Sequence, residues 1–360
     1  MRASNFRRLL RLAGILGIGL AALIVVLACV GAAYQWVALH RDRRMNPPPG
    51  RLVDVGGYRM HLVCTGQDSP TVLLESGLGD TWLAWCRVQG PVAQFTRVCS
   101  YDRAGLGWSD PSPLPRTSRV IAEELHSLLH HAGIAGPFVL VGHSFGGMNV
   151  RMYASLHRSE VAGVVLVDSS HPDQDKRLPP ELDKSNADFI RKQTLLHETM
   201  LFGLSRLMGW CGGGPPEIRS MLRTVDCRLG PWREHLAEEC TFLKESQSQV
   251  RASGLLGDIP LVVLSHDPDK AYAGPGFSLS LAKEMNREWD AMQDELARLS
   301  TNGSRSIARG CGHMIHQERP EMVIEAVRKL VEQSRTRSTS MGGSGNAPSP
   351  GMPHALKTGG

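Results

Sequence analysis

Hydrophobic positions in this chain fall into short blocks that recur at two different spacings. Short runs rich in apolar residues are typical of strands, and they occur at Leu52–Val55, Tyr58–Cys64, Thr71–Leu74, Val98–Tyr101, Phe138–Val141, Val161–Val167 and Pro260–Leu264, with a more polar one at Ser304–Ala308. Between them lie segments of helical periodicity, such as Thr117–His131, where Ile121, Leu125 and Leu128 share one face. The alternation predicts the α/β class, with a mostly parallel central sheet and helices on both faces.

One connection between the predicted strands is much longer than the others. About 90 residues separate the sixth strand from the seventh, whereas connections in such domains usually have about 2–6 residues. Residues 195–210 carry enough apolar side chains for one helical stretch, and further helices are predicted at Glu217–Val225 and Trp232–Val250. We therefore expect residues 169–258 to form a helical cap, or lid, inserted after strand six.

The N-terminal region has a different pattern. Leu12–Tyr34 is a run of 23 residues without a charge, close to the roughly 20 residues that a membrane-spanning helix needs. We expect residues 1–44 to hold a single-pass anchor with basic flanks, and arginines on both sides leave its orientation open. The alternative is a cleaved signal peptide, with Gly31 and Ala33 as small residues at the cleavage site and a secreted or periplasmic product.

The remaining boundaries follow from composition. Residues 45–51 contain Pro47, Pro48 and Pro49 and predict a stiff linker. The folded domain is expected at residues 52–333. Residues 334–360 consist mostly of Ser, Gly, Pro, Thr and Met, which predicts a disordered tail.

Charge is distributed unevenly along the 360 residues. The net charge is +5, but the first 51 residues hold eight arginines and one acid, Asp42, which leaves −2 for the rest of the chain. A nearly neutral domain gives no indication of nucleic-acid binding. The oligomeric state is left open by these features.

The sequence gives no indication of a metal or an organic cofactor. Eight cysteines form no C-x-x-C pair, so a zinc site is not expected, and we interpret them as mostly buried free thiols. His126 and His130 are four residues apart on a predicted helix, a spacing that metal-binding helices use. The glutamate of an H-E-x-x-H motif is missing between them, which favours a partly exposed histidine face.

The strongest chemical motif is Gly142-His143-Ser144-Phe145-Gly146, directly after a predicted buried strand. This G-x-S-x-G pattern is typical of a nucleophile elbow, in which a strand turns sharply into a helix and exposes the serine. A Cβ at either glycine would collide with the neighbouring strand or helix. The motif predicts Ser144 as a nucleophile and the Phe145 N–H as a donor to a developing oxyanion.

The stretch Gly-His-Ser-Phe-Gly-Gly resembles the α/β-hydrolase family, and is similar to monoacylglycerol lipases and bacterial serine esterases. The resemblance covers roughly residues 52–332. It implies the order nucleophile, acid, histidine along the chain. It also implies a second oxyanion donor after strand three, which matches the Leu78 N–H in Ser76-Gly77-Leu78-Gly79, where the family commonly has His-Gly-x.

The same resemblance places the histidine on the loop after the last strand. There Gly310-Cys311-Gly312-His313 matches the family's terminal motif, so His313 is the expected base, and His316 is the alternative. The acid is expected after strand seven, where Asp269 is in register and Asp267 is next to it, although His266 replaces the usual glycine. Some family members carry the acid after strand six, where Asp168 stands.

A further resemblance concerns Asp102–Ser109, which is similar to the family's D-x-R-G-x-G-x-S stretch. We interpret its Arg103 as structural, tying neighbouring loops by hydrogen bonds and charge.

Together these features predict a serine hydrolase that cleaves a carboxylic ester through an acyl-enzyme, without a cofactor. The expected substrate is a small or acyl-chain ester, lipid-like in the second case, encountered near a membrane. Thioesterase, peptidase and C–C hydrolase activities remain open alternatives. A catalytically silent binding protein on a hydrolase fold is a further alternative, favoured by the uncertain acid and the altered oxyanion loop.

Overall fold

A computed structural model describes residues 2–270 and 278–342, and one eight-stranded sheet forms its centre. The strands are β1 (Arg51–Asp54), β2 (Arg59–Thr65), β3 (Thr71–Glu75), β4 (Val98–Tyr101), β5 (Phe138–His143), β6 (Val161–Val167), β7 (Leu261–His266) and β8 (Gly303–Ala308). Their order across the sheet is β1-β2-β4-β3-β5-β6-β7-β8. The pairs β1–β2 and β2–β4 are antiparallel, and all other neighbours are parallel. The predicted fold class, a mostly parallel α/β sheet, is therefore confirmed.

Helices cover both faces of the sheet. The helices of the described residues are α1 (Arg2–Met45), α2 (Gln89–Val92), α3 (Ser118–His131), α4 (Phe145–Leu156), α5 (Gln174–Arg177), α6 (Pro180–Glu198), α7 (Leu204–Leu207), α8 (Arg219–Asp226), α9 (Leu229–Thr241), α10 (Gln247–Ala252), α11 (Leu279–Ala297), α12 (Ile315–Glu318) and α13 (Pro320–Gly342). Successive residues of a strand point to opposite faces. Leu140 of β5 accordingly packs with residues of α3 and α4, while Val139 and Val141 pack with α13 on the other side.

Helices α5 to α10 lie between β6 and β7, where the sequence predicted a helical insert, and we call residues 174–252 the insert. The single helical stretch expected over residues 195–210 is divided in the structure. A 3-10 turn, Thr199–Phe202, ends at Gly203, which has φ of 71° and separates it from α7. This left-handed backbone is readily available to glycine and breaks the helix.

The N-terminal helix α1 is continuous from Arg2 to Met45 and is the one described helix long and apolar enough to cross a membrane. Its most apolar window is fully exposed, whereas its last turns contact the insert. Gln35 Nε2 donates to the Cys227 carbonyl oxygen at 2.8 Å, and Arg206 Nη1 is 2.5 Å from Asp42 Oδ2. The C-terminal part of the helix is therefore attached to the insert.

Two disulfides correct the expectation of mostly free thiols. Cys64 and Cys99 are bonded across the antiparallel strands β2 and β4, where they lie directly opposite each other. Cys211 and Cys227 are bonded within the insert. The sequence did not reveal these pairs, because spacing alone does not show which cysteines the sheet and the insert bring together.

The last helix is longer than predicted. The sequence placed the end of the folded domain at residue 333, and the structure continues α13 to Gly342. The first nine residues of the predicted tail, 334–342, are thus helical. The remainder of that prediction, residues 343–360, lies outside the described residues.

Candidate active site

Ser144 stands between β5 and α4 in a strained backbone conformation, with φ of 51° and ψ of −121°. The tight turn requires glycine on both sides. A Cβ on Gly142 would lie 2.5 Å from the Gly146 carbonyl oxygen, and a Cβ on Gly146 would lie 2.5 Å from the Glu75 carbonyl oxygen. Real Cβ atoms do not approach carbonyl oxygens so closely, so both positions exclude larger residues. The geometry is that of a nucleophile elbow.

The elbow is fixed to the sheet and directed at the start of a helix. Ser144 N donates to the Val167 carbonyl oxygen at 3.2 Å, and the Ser144 carbonyl oxygen accepts from Gly147 N and Ser170 N at 3.0 Å. Phe145 is the first residue of α4, a buried helix of 12 residues. The Phe145 N–H therefore belongs to the positive end of that helix, where a negative charge is stabilised.

His313 and Asp168 form a close pair beside the elbow. His313 Nδ1 is 2.6 Å from Asp168 Oδ2, and the Asp168 side chain is fully buried. His313 lies on the loop after β8, and Asp168 directly follows β6 with φ of 43°. The carboxyl ends of parallel strands meet at one edge of the sheet, which explains how residues 145 positions apart come into contact.

Three further donors surround the Asp168 carboxylate. His266 N and Trp289 Nε1 each donate to Oδ1 at 3.0 Å, and His266 Nδ1 is 2.9 Å from Oδ2. Burial by itself raises the pKa of Asp168. The hydrogen bonds from His266 and His313 outweigh that effect and hold the pKa well below its usual range. Asp168 is consequently a buried carboxylate that stays ionised.

The structure does not place the preferred acid, Asp269, next to His313. Asp269 lies in the short turn Pro268–Lys270, its side chain is 92% exposed, and its nearest ion-pair partner is Arg309 at 3.9 Å. The turn directs it towards solvent. The contact with His313 that the sequence assigned to Asp269 is made by Asp168, the alternative after strand six.

Asp267, the other aspartate after β7, supports the backbone of the neighbouring loop. Its carboxylate accepts from Gly310 N at 2.7 Å and from Asp269 N at 3.1 Å, and it pairs with Arg309 at 3.2 Å. These bonds lower its pKa, the Gly310 N–H most of all. Asp267 therefore fixes the loop that carries His313, and among the described residues it forms no hydrogen bond or ion pair with the His313 imidazole.

His316, the alternative base, is packed inside the protein. Its ring lies 4.8 Å from that of Trp85 and 4.3 Å from that of His143, measured between centroids. Burial lowers the pKa of His316 to about 3, so it stays neutral. His143 in turn donates from Nε2 to the His313 carbonyl oxygen at 3.1 Å. His143 therefore supports the His313 loop by a hydrogen bond, and His316 packs against the His143 ring.

The loop after β3 carries Leu78, the second expected oxyanion donor, and Arg103 organises this loop. Arg103 Nη1 donates to the Ser76 carbonyl oxygen at 2.8 Å, and Nη2 donates to the Gly77 carbonyl oxygen at 2.6 Å. Nη1 also reaches Glu75 Oε1 at 2.9 Å. The guanidinium fork thus ties together the last residue of β3 and the first two residues of the loop, in line with the structural interpretation of Arg103.

Glu238 reaches the same loop from the insert. It is fully buried on α9 and accepts from Arg103 at 2.6 and 2.8 Å, one bond to each carboxylate oxygen. Its Oε2 also accepts from Gly79 N at 2.8 Å. Burial raises the pKa of Glu238, but the Arg103 charge and hydrogen bonds outweigh this and lower it. Glu238 could not be singled out from the sequence, because a glutamate on a predicted helix carries no distinguishing signal.

A model of the alpha/beta hydrolase family matches residues 72–326, most of the described domain. The chain belongs to this family. This hydrolase is 24% identical over 301 residues to a soluble epoxide hydrolase of a Corynebacterium species, covering 77% of this chain and 94% of the relative. The chain also spans only 42% and 28% of the length of two other curated relatives that it matches.

Solved hydrolase structures show the same fold. A thermophilic esterase from Thermogutta terrifontis matches with a TM-score of 0.55 at 22% identity, covering 79% of this chain and 98% of the esterase. An enol-lactonase from Burkholderia xenovorans matches with a TM-score of 0.54 at 19% identity, covering 78% of this chain and all of the lactonase (100%). At these identities the likeness establishes the architecture alone.

A cavity of about 320 Å³ opens at the candidate site of this hydrolase. Ser144, Asp168 and His313 all contribute to its wall. Its remaining lining is mixed, with polar side chains beside apolar ones from the insert and from α11, namely Ser170, Gln174, Leu178, Leu182, His266, Lys270, Met285, Asn286 and Trp289, together with Gly312. A serine hydroxyl, an imidazole and an ionised carboxylate thus meet in one pocket large enough for a small organic substrate.

Proposed function

We propose that this protein is a serine hydrolase that cleaves carboxylic esters through an acyl-enzyme, with Ser144, His313 and Asp168 as its triad. The observation that carries the proposal is the 2.6 Å contact between His313 Nδ1 and the buried Asp168, in a cavity that also contains the strained Ser144. A serine hydroxyl needs a base and an orienting acid to become a nucleophile at neutral pH. This constellation supplies both.

Each residue then has a defined task. Asp168 holds a proton on His313 Nδ1, which leaves Nε2 free to accept the Ser144 hydroxyl proton as Oγ attacks the substrate carbonyl carbon. The N–H groups of Phe145 and Leu78 donate to the resulting oxyanion. His313 returns the proton to the leaving alcohol, and the acyl group remains on Ser144. Water, deprotonated by His313, then attacks the acyl-enzyme and releases the acid.

An ester is favoured as the substrate by two observations. The esterase and the lactonase with the same fold are named for reactions at ester bonds. The cavity also combines polar lining with the apolar Leu178, Leu182 and Met285, which suits an acyl group beside a polar carbonyl. The soluble epoxide hydrolase among the relatives shows that other hydrolytic reactions occur in the family.

We further infer that the insert acts as a cap that faces a lipid bilayer. Within residues 200–210 of the insert, six large apolar side chains are exposed to solvent, namely Leu201, Phe202, Leu204, Leu207, Met208 and Trp210. This segment approaches α1 at Phe202 and Gly203: a Cβ on Gly31 would collide with the Phe202 carbonyl oxygen, and a Cβ on Gly203 would lie 2.7 Å from the Tyr34 ring. An exposed apolar patch next to a candidate membrane helix favours contact with the same membrane.

Labelling with a fluorophosphonate, followed by turnover of p-nitrophenyl esters of several chain lengths, tests the proposed reaction. The wild-type protein should be labelled at Ser144, and Ser144→Ala should lose both labelling and turnover. Ser155→Ala, an exposed serine on the same helix α4, is the matched control and should behave like wild type.

The proposal fails if Ser144→Ala is still labelled or retains substantial turnover. A folded wild-type protein that is neither labelled nor active would instead support the silent binding protein.

A further inference from the structure

A cluster of two histidines and one glutamate, all side chains that can bind a metal ion, lies outside the active-site cavity. His126 is on α3, His157 follows the end of α4, and Glu160 is in the short turn before β6. One potential ligand atom from each of the three lies within 4.8 Å of the other two. His126 Nε2 is 3.2 Å from Glu160 Oε1, and the two imidazole rings are stacked with centroids 3.8 Å apart. None of the three residues lines the active-site cavity.

The sequence suggested a different pairing on this helix. His126 and His130 have the helical spacing of a metal-binding pair, but the structure directs His126 towards His157 and Glu160. His130 instead lies edge-on to the neighbouring His131, with ring centroids 5.3 Å apart. The helix thus carries one histidine inside the cluster and two outside it.

One nitrogen of the cluster has no hydrogen-bond partner among the described residues and is available to bind a ligand. Tyr153 donates its hydroxyl to Glu160 Oε2 at 2.6 Å, which fixes the carboxylate and directs Oε1 towards His126. His157 Nε2 is buried and has no hydrogen-bond partner among the described residues. A buried, unpaired imidazole nitrogen is costly unless a ligand occupies it.

A hydrogen bond from outside the cluster also holds its carboxylate in place. Tyr153 supplies the kind of outer hydrogen bond that commonly orients a ligating carboxylate.

We propose that His126, His157 and Glu160 bind a divalent transition-metal ion of the Zn²⁺ class, with water at a fourth position. Two imidazoles and one carboxylate are ligands that Zn²⁺ accepts, at bond lengths of about 2.0–2.2 Å. Such bonds bring ligand atoms to within about 3.4 Å of one another, so the stacked rings must tilt towards a shared ion. The side chains of His126 and Glu160 are 38% and 32% exposed, which gives the ion a path from solvent.

The proposed ion would join two helices that pack on the same face of the sheet. His126 belongs to α3, whereas His157 and Glu160 follow α4, the helix that begins immediately after Ser144. Binding to the folded chain alone stabilises that chain by mass action. The expected effect of the metal is therefore on thermal stability, and ester turnover does not require it.

The test uses full-length protein in detergent, without a histidine tag and stripped with EDTA. Zn²⁺ titrated by calorimetry should bind at a site containing these three residues and should raise Tm, whereas Mg²⁺, which imidazole ligands do not favour, should do neither. Co²⁺ should give the visible absorption bands of a tetrahedral site. His157→Ala and Glu160→Gln should each weaken Zn²⁺ binding by more than about 100-fold, beyond the about 10–100-fold typical of outer-shell changes.

The matched control is His130→Ala, on the same helix but outside the cluster, which should retain wild-type Zn²⁺ affinity and Tm shift. Tyr153→Phe should weaken binding by about 10-fold, because Glu160 loses its orienting bond. Unchanged Zn²⁺ binding in both His157→Ala and Glu160→Gln would overturn the proposal, as would loss of binding in His130→Ala. Should His157→Ala unfold, Glu160→Gln and Tyr153→Phe decide the outcome.

Discussion

At the scale of single residues, backbone strain is concentrated at the candidate site. Three non-glycine residues of the described chain have positive φ, and two of them are Ser144 and Asp168. Such conformations cost on the order of 1–3 kcal/mol each and persist only where the surroundings enforce them. Here the sheet does so, because Ser144 N bonds to Val167 and Asp168 N bonds to Leu264. Both side chains are thereby aimed into one pocket.

The acid can be identified by exchanging each aspartate for asparagine. Asp168→Asn should lower kcat by about 10⁴-fold, because an amide favours the wrong imidazole tautomer of His313. Asp269→Asn, whose side chain is exposed, should remain near wild type and is the matched control. Steady-state rates on one short ester measure the difference. A normal rate in Asp168→Asn would remove Asp168 from the triad.

The residue scale also shows what sequence can and cannot predict. Ser144 and His313 were assigned from local glycine patterns, and the structure places both in the wall of one cavity. Their roles stay predictions. The acid could not be chosen from sequence, because two loops at the same sheet edge each carry aspartate, and the direction of a short turn decides which one reaches His313.

At the scale of structural elements, one buried ion network joins the insert to the loop after β3. Arg103 binds Glu75 from the sheet and Glu238 from α9, and all three are almost fully buried. Removing one partner of such a network is strongly destabilising, because it leaves a buried charge without compensation. The length of the connection between strands six and seven predicted the insert. It did not predict this contact, which depends on how α9 packs against the loop after β3.

Glu238 is accordingly expected to be a positioning residue for the oxyanion loop. Glu238→Gln should weaken the bonds to Arg103 and Gly79, lower Tm, and reduce kcat by up to about 100-fold, the lower end of the loss of a direct oxyanion donor. KM should change little, since the substrate pocket is intact. Glu245→Gln, an exposed glutamate on the adjoining turn, serves as control. A lowered Tm with unchanged kcat would show that Glu238 stabilises the fold and does not position the oxyanion loop.

Two neighbouring carboxyl groups, those of Asp226 in the insert and Asp80 next to the same loop, lie where the insert meets that loop. Burial, followed by the neighbouring Asp80, raises the pKa of Asp226 to about 7, and burial raises the pKa of Asp80 to about 6. Between pH 4 and 7, roughly, the folded chain therefore binds protons at these groups that the unfolded chain does not. Their effect on stability is favourable in acid and is lost as the pH rises through these values.

Asp226→Asn should remove the larger of these two effects. The variant should have a Tm several degrees above wild type at pH 8.5, and the difference should shrink towards pH 5, because protonated Asp226 is already neutral there. Thermal unfolding of both proteins from pH 5 to 8.5 measures this. Asp188→Asn, on the exposed side of α6, should show no such trend. A pH-independent difference would contradict the assigned pKa of Asp226.

At the scale of the whole molecule, the apolar helix α1 contacts the segment of the insert, residues 200–210, that exposes six large apolar side chains. We expect reconstituted full-length protein in bilayers containing a diazirine phospholipid to acquire lipid adducts on residues 6–34 and on residues 200–210. Leu255 is equally exposed but lies in the loop before β7, at the opposite edge of the sheet, and should remain unmodified. Adducts on the helix but not on residues 200–210 would support the membrane anchor and contradict the lipid-facing cap.

The two disulfides carry a consequence for the cell. Cystines form and persist in oxidising compartments and are reduced in the cytosol. From Cys64–Cys99 and Cys211–Cys227 we infer that the folded domain faces an oxidising compartment, which would put the N-terminal end of α1 on the cytosolic side. Alkylation in intact cells should leave these four cysteines unmodified until a reductant is added, and modification without one would reverse the orientation. The hydrolase would then meet its substrates in the outward-facing leaflet, beyond the reach of cytosolic ester pools.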